Sequence, residues 1–173
     1  MTINHFFLMI FCGLLMIFFL FKPMEIAEQK HGEIAMFQIE NFLLHELNPI
    51  GLITLIKGEE AKRFTNRYEV DKIDYTDNSK ELKANMLANF GIYQNEIVTL
   101  SGDVDYTRED GFRFITEEVV YERLASIATT KVPYKATMGE NVVIGTWLQQ
   151  NNTKNTTLSK NINATYYIEE SVQ

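Results

Sequence analysis

Residues 98–106, VTLSGDVDY, carry the reading that decides the fold. Val98, Leu100, Gly102, Val104 and Tyr106 take every second position, and Thr99, Ser101, Asp103 and Asp105 lie between them. A period of two belongs to a β-strand with one face on an apolar interior and the other in water. Working outward, the habit spreads in both directions. Upstream, Leu82, Ala84, Met86, Ala88 and Phe90 alternate with Lys83, Asn85 and Asn89. Downstream, Phe112 and Phe114 continue it, and the phase then slips so that Val119 and Tyr121 carry it on. A bulge near Glu117 and Glu118 accounts for that slip. Val132, Tyr134, Ala136 and Met138 oppose Lys131, Lys135 and Thr137; Val142, Ile144 and Leu148 follow. Ile162, Ala164, Tyr166 and Ile168 read as a last strand.

Turn chemistry separates these runs. Asn48-Pro49-Ile50-Gly51 joins an apolar run at 37–47 to another at 52–56. Glu109-Asp110-Gly111 and Met138-Gly139-Glu140-Asn141 read as compact hairpin turns. Residues 75–80 (YTDNSK) and 149–160 (QQNNTKNTTLSK) read as longer polar connections, and 58–65 (GEEAKRFT) as one possible helical turn. Turn signals recur about every ten residues, the spacing of an all-β sandwich or roll. Successive hairpins predict an antiparallel roll with two open edge strands and an apolar slot inside. Alternation leaves open whether that slot holds its own side chains or a lipid.

Before the strands stands a different kind of sequence. From Phe6 to Phe21 the chain reads FFLMIFCGLLMIFFLF, and up to Phe21 there is no Asp, Glu, Lys or Arg, with His5 before the run. About nineteen residues as a helix span roughly 28 Å, close to the hydrocarbon thickness of a bilayer. No Lys or Arg precedes the run and no small-residue cleavage pattern follows it, so it reads as an uncleaved anchor rather than a signal peptide. Lys22 and Lys30 follow the helix, and charge does not settle its direction. The expected layout is a membrane anchor at 1–22, a polar tether at 23–35 and one β domain at 36–173.

With 173 residues, 46% hydrophobic, the chain is long enough for one domain with a real core. Its net charge of −7 argues against nucleic acid as a partner. Cys12, the sole cysteine, lies in the apolar run, so the domain has no internal disulfide. His5, His31 and His45 lack metal-ligand spacing, and no cofactor loop is present. Asp103 with Asp105 and Glu117 with Glu118 read as solvated faces, so no catalytic residue is assigned. Three Asn-x-Thr matches, at Asn151, Asn155 and Asn163, fall in Asn- and Thr-rich sequence that produces such matches by chance.

Three phrases carry a family resemblance. They are residues 41–60 (NFLLHELNPIGLITLIKGEE), 87–104 (LANFGIYQNEIVTLSGDV) and 112–147 (FRFITEEVVYERLASIATTKVPYKATMGENVVIGTW). Within them stand LSGDV at 100–104, TEEVVY at 116–121, Val132-Pro133 and Gly145. With the anchor and tether before them, they resemble the LptC family and its OstA/LptA-type β-jellyroll. That resemblance implies an inner-membrane anchor beside LptF and LptG, with the LptB ATPase beneath and the roll in the periplasm. It further implies that the roll accepts lipopolysaccharide and passes it to LptA by edge-to-edge strand pairing. Acyl chains need a dry path, since each exposed methylene costs about 0.8 kcal/mol.

The expected lipid contacts are Ile39, Met86, Ala88 and Phe90; Val98, Leu100, Val104 and Tyr106; Phe112 and Phe114; Val142 and Ile144; and Ile162 and Tyr166. The expected partner edge is formed by Leu158, Ile162, Ala164, Tyr166 and Ile168. A membrane-tethered β domain that only scaffolds envelope proteins is the competing reading. A filament-forming pilin fits less well, because the long helix it needs stops at Pro23.

Overall fold

The computed structural model describes residues 34–49 and 51–167. The expected membrane helix, most of the tether and Ile168 lie outside the described residues. Among the described residues there is no helix; the chain forms one antiparallel sheet of twelve strands. They are β1 (Phe37–Asn48), β2 (Gly51–Arg63), β3 (Tyr68–Asp77), β4 (Ala84–Gln94), β5 (Ile97–Arg108) and β6 (Phe112–Glu122). There follow β7 (Ile127–Thr130), β8 (Tyr134–Met138), β9 (Asn141–Gly145), β10 (Trp147–Asn151), β11 (Thr156–Lys160) and β12 (Asn163–Thr165).

The first six strands pair in chain order. The far edge of β6 is then shared. Its first half, Phe112 to Thr116, pairs with β8, and its last residues, Val120 to Glu122, pair with β7. From β7 the sheet continues through β10 to β11, and from β8 through β9 to β12. In effect the last three strands are each long strands broken once: at 131–133, at Thr146 and at 161–162.

Those breaks belong to a crease that crosses the whole sheet. Asn41, Lys72 and Asp103 have left-handed backbones, with φ of 50°, 52° and 50°, midway along β1, β3 and β5. Asn161 does the same between β11 and β12 with φ of 52°. Asn and Asp tolerate this region better than other side chains, which suits them to three of the four places. On the equivalent strand β7–β8, Pro133 breaks the ladder instead by lacking an N–H. Every strand running in this direction is therefore bent at the same level. Register slips opposite them, between Leu87 and Phe90 on β4 and between Ser101 and Val104 on β5, complete the line. The β5 slip stands opposite Thr116 to Glu118 on β6, where the alternation changes phase.

The crease divides the sheet into two leaves that fold toward each other. The first holds 37–40, 60–63, 68–71, 90–94, 97–101, 118–122 and strands β7, β10 and β11. The second holds the remainder. One apolar cluster joins them: Leu100, Val98 and Val119 from the first leaf meet Ala88, Val104, Ile73 and Met86 from the second. Glycines allow the close approach at the fold line. A Cβ on Gly58 would lie 2.9 Å from Val70 Cγ1 of the other leaf, and one on Gly91 would lie 3.3 Å from Ile73 Cδ1.

Two expectations fail here. Residues 58–63 are not a helical turn but the second half of β2. The stretch at 149–160 is not a free connection, because Gln149 pairs with Leu158 and Gln150 with Thr157 in the β10–β11 hairpin. Short polar strands lack the apolar alternation that reveals a half-buried one, and their pairing comes from neighbours.

Candidate functional site

Cross-strand partners share a face of the sheet, so the register reads out the inner surface row by row. Beside the crease, Val70, Gly91, Leu100 and Val119 align on the first leaf, and Ile73, Ala88, Val104 and Thr116 on the second. These are the floor of a trough, and at its centre Leu100 and Val104 are 3% and 0% exposed. One row higher, the second leaf presents Ile56, Tyr75, Met86, Tyr106, Phe114 and Ala136 in continuous register. These wall residues are half-buried. Burial pushes the Tyr75 and Tyr106 phenols above the ordinary tyrosine value, with Asp77 adding to it, so both stay neutral near neutral pH.

The floor is kept dry by pairing its few polar groups. Thr116 Oγ1 lies 3.1 Å from Thr130 Oγ1 and donates to the Pro133 carbonyl at 3.0 Å. Tyr134, stacked on Phe114 with ring centroids 5.4 Å apart, places its hydroxyl 2.6 Å from Ser159 Oγ. That bond ties the β8 branch to the β11 branch across the crease. Among the described residues no buried side-chain polar atom lacks a partner.

The outer face of the crease is chemically opposite. Lys72 Nζ donates to Asn89 Oδ1 at 2.7 Å, and Asn89 Nδ2 donates to Asp103 Oδ2 at 2.7 Å. Two shallow cavities of about 420 and 400 Å³ flank this chain, lined by Glu59, Glu60 and Asp71 on one side and Asp74, Asp103 and Asp105 on the other. The first is lined by polar and charged side chains, whereas Leu87, Ile73 and Ala88 also line the second. Among the described residues no group of three or more His, Cys, Asp or Glu side chains has the arrangement of a metal site.

Against this geometry the sequence reading divides. Ile39, Met86, Ala88, Val98, Leu100, Val104, Tyr106, Phe112 and Phe114 lie on the inner face. Phe90 does not. It pairs with Asp71 and Ser101, while Gly91 pairs with Leu100, because the alternation changes phase where β4 crosses the crease, as it does on β3 between Val70 and Ile73. Val142 and Ile144 are also turned outward, opposite Thr137 and Lys135, and Ile144 is 48% exposed; Val143, opposite Ala136, is the inner residue. The two-residue turn Gly139-Glu140 holds the signal for this. It sets Asn141 against Met138, and Val143 must then share a face with Ala136. Ile162 falls in the break between β11 and β12 and is 55% exposed, and Tyr166 lies beyond β12 and is 69% exposed. Tyr75, Val70, Ile73 and Ile56 belong to the trough although their strands show no clean alternation across the crease.

Among the described residues, both ends of the trough are open: β1 has one strand neighbour, β2, and β11 and β12 have β10 and β9 alone. On β1, Leu43, Leu44 and Leu47 are 54%, 55% and 70% exposed. On the far edge, Leu158 pairs with Gln149 and Ala164 with Val143, and among the described residues no strand pairs with the other side of either. The expected single C-terminal strand is thus two short ones.

No curated protein matches the chain. A family model described as lipopolysaccharide-assembly, LptC-related, matches residues 6–167, nearly the whole sequence. That family is a component of lipopolysaccharide transport and is not known as a family of enzymes. An antiparallel sheet with an apolar inner face agrees with the match, and the chain belongs to the LptC family.

Proposed function

We propose that the chain is the single-span inner-membrane member of a lipopolysaccharide export bridge. The apolar run at 6–21 anchors it, and the sheet stands in the periplasm. In this reading the trough receives the acyl chains of lipopolysaccharide from an LptB/LptF/LptG transporter at the β1 edge and hands them to LptA at the β11–β12 edge. Work comes from the ATPase, so the chain itself needs no cofactor and no catalytic group.

One observation supports the reading above the others: the apolar rows run across the strands, from one open edge toward the other. The nine-strand path β1 to β11 places its ends eight spacings apart, roughly 38 Å at about 4.8 Å per spacing. A molecule sliding along the rows keeps its methylenes out of water at every step, each worth about 0.8 kcal/mol. Open edges supply main-chain donors and acceptors for a neighbouring roll without demanding a particular sequence.

Photo-crosslinking during ATP-driven transport tests this. A photoreactive residue at Tyr106 or Phe114 on the wall should capture lipopolysaccharide, and one at Phe90 or Ile144 on the outer face should not. Labelling at the outer pair with none at the inner pair would refute the trough. For the far edge, removing residues 162–173 should abolish capture of LptA while the chain still co-purifies with LptB, LptF and LptG; persisting capture places the docking edge elsewhere.

A further inference from the structure

The first leaf ends in a rim where guanidinium groups and tyrosine rings alternate. Arg63 on β2, Tyr68 on β3 and Tyr93 on β4 stand opposite one another in register, one row above the floor. The Arg63 guanidinium lies 5.4 Å from the Tyr68 ring centroid, and the Tyr68 and Tyr93 rings are 6.2 Å apart. Arg123, from the turn after β6, closes the row: it is 5.6 Å from the Tyr93 ring and donates to the Tyr93 hydroxyl at 2.9 Å.

These cations are unlike the others on the inner face. Arg108, at the opposite rim, is gripped by Asp110 through two bonds of 2.9 and 2.6 Å. Arg63 is exposed and, among the described residues, has the tyrosine ring but no carboxylate beside it. The pairing of Arg123 with Glu96, at 3.2 Å, joins side chains 55% and 46% exposed, a geometry worth little in water. The chain as a whole carries −7, so an anion is drawn to few places on it. Two positions along a strand separate this rim from the floor, roughly 7 Å. An amphiphile with its tails on the floor would hold its polar head at this height.

We propose that Arg63 and Arg123 bind the phosphate groups of the transported glycolipid's headgroup, with Tyr68 and Tyr93 holding the guanidinium planes in place. This deepens the conduit reading and rests on it. A guanidinium fork matches phosphate oxygens in a bidentate way that an ammonium does not. A ring beneath each fork limits its motion before the ligand arrives.

The test uses the full chain in detergent and two probes: lipid A bearing its phosphates, and the same lipid A after enzymatic dephosphorylation. The wild-type chain should bind the phosphorylated probe about tenfold more tightly, the scale of two charge-assisted contacts discounted for exposure. The double variant Arg63→Gln/Arg123→Gln should lose that preference and bind the dephosphorylated probe as the wild type does. Equal binding of both probes by the wild type would overturn the rim assignment and leave the trough standing. Failure of the wild type to bind either probe would overturn both. Inorganic phosphate in moderate excess should leave binding of the phosphorylated probe unchanged; displacement by it at equimolar concentration marks a site for free anions, and the headgroup assignment falls.

Discussion

Replacing Gly145 by alanine should destabilise the domain by about 2 kcal/mol, although alanine is the smallest side chain that could be added. Gly145 lies on the inner face of β9, directly opposite Tyr134. A Cβ there would meet Tyr134 Cε1 at 2.6 Å, its hydroxyl oxygen at 2.7 Å and Cζ at 2.8 Å. Tyr134 is 3% exposed and stacked on Phe114, so its ring has nowhere to retreat. Overpacking of this kind costs about 1–3 kcal/mol. Displacing the ring also strains the bond between its hydroxyl and Ser159, worth about 1 kcal/mol. Against this, the loss of glycine's freedom in the unfolded chain returns about 0.4–1 kcal/mol. Trp147, the one tryptophan of the chain, stands two residues away and reports unfolding in denaturant by its fluorescence. The argument places the whole penalty on the Tyr134 ring, and a double-mutant cycle isolates it. In a Tyr134→Ala background, Gly145→Ala should cost nothing, a coupling of about 2 kcal/mol. If Gly145→Ala stays within about 0.5 kcal/mol of wild type, or the two changes add, the close packing of β8 against β9 is wrong.

Two further outcomes follow from the crease and from the hairpin beside it. Asn161→Val should cost about 2 kcal/mol by denaturation midpoint, because a β-branched residue disfavours the left-handed backbone and the bond from Asn161 Nδ2 to Thr146 Oγ1, at 2.8 Å, is lost; Asn161→Gly should cost less than half as much. Asp110 accepts from Arg108 and from the Phe112 N–H, and the Arg108 bond above all holds its carboxyl below the ordinary aspartate range. A depressed carboxylate contributes stability that is present above its unfolded pKa and lost as the pH falls through the folded one. The difference in stability between wild type and Asp110→Asn should therefore shrink below about pH 4, and a gap that is flat from pH 6 to pH 2 would contradict that pairing.

How much of this was legible beforehand depended on whether neighbouring residues or distant ones set each feature. Strand character, the hairpin turns and the phase change at Glu117 follow from alternation and turn chemistry in the chain itself. So do the inner positions of Leu100, Val104, Tyr106 and Phe114, which lie on strands whose own pattern is clean. Phe90, Val142 and Ile144 lie on the outer face, against their apolar alternation, for one reason. A phase change where a strand crosses the crease, or a turn of a given length, inverts every side chain beyond it, and apolar residues on the wrong face look the same in the sequence. Arg63 and Tyr68 carry no local mark, since only register brings them together.

The amino-acid order by itself determined that this protein is a run of paired strands following one apolar segment, because a period of two and the turn residues act over a few positions. Tertiary structure alone decided that the sheet creases at one level on every second strand, and hence which side of each strand lines the trough. The left-handed residues responsible, Asn41, Lys72, Asp103 and Asn161, look unremarkable one at a time. They form a fold line only when pairing lays the strands side by side, and the meeting of the two leaves then turns isolated apolar positions into a continuous path.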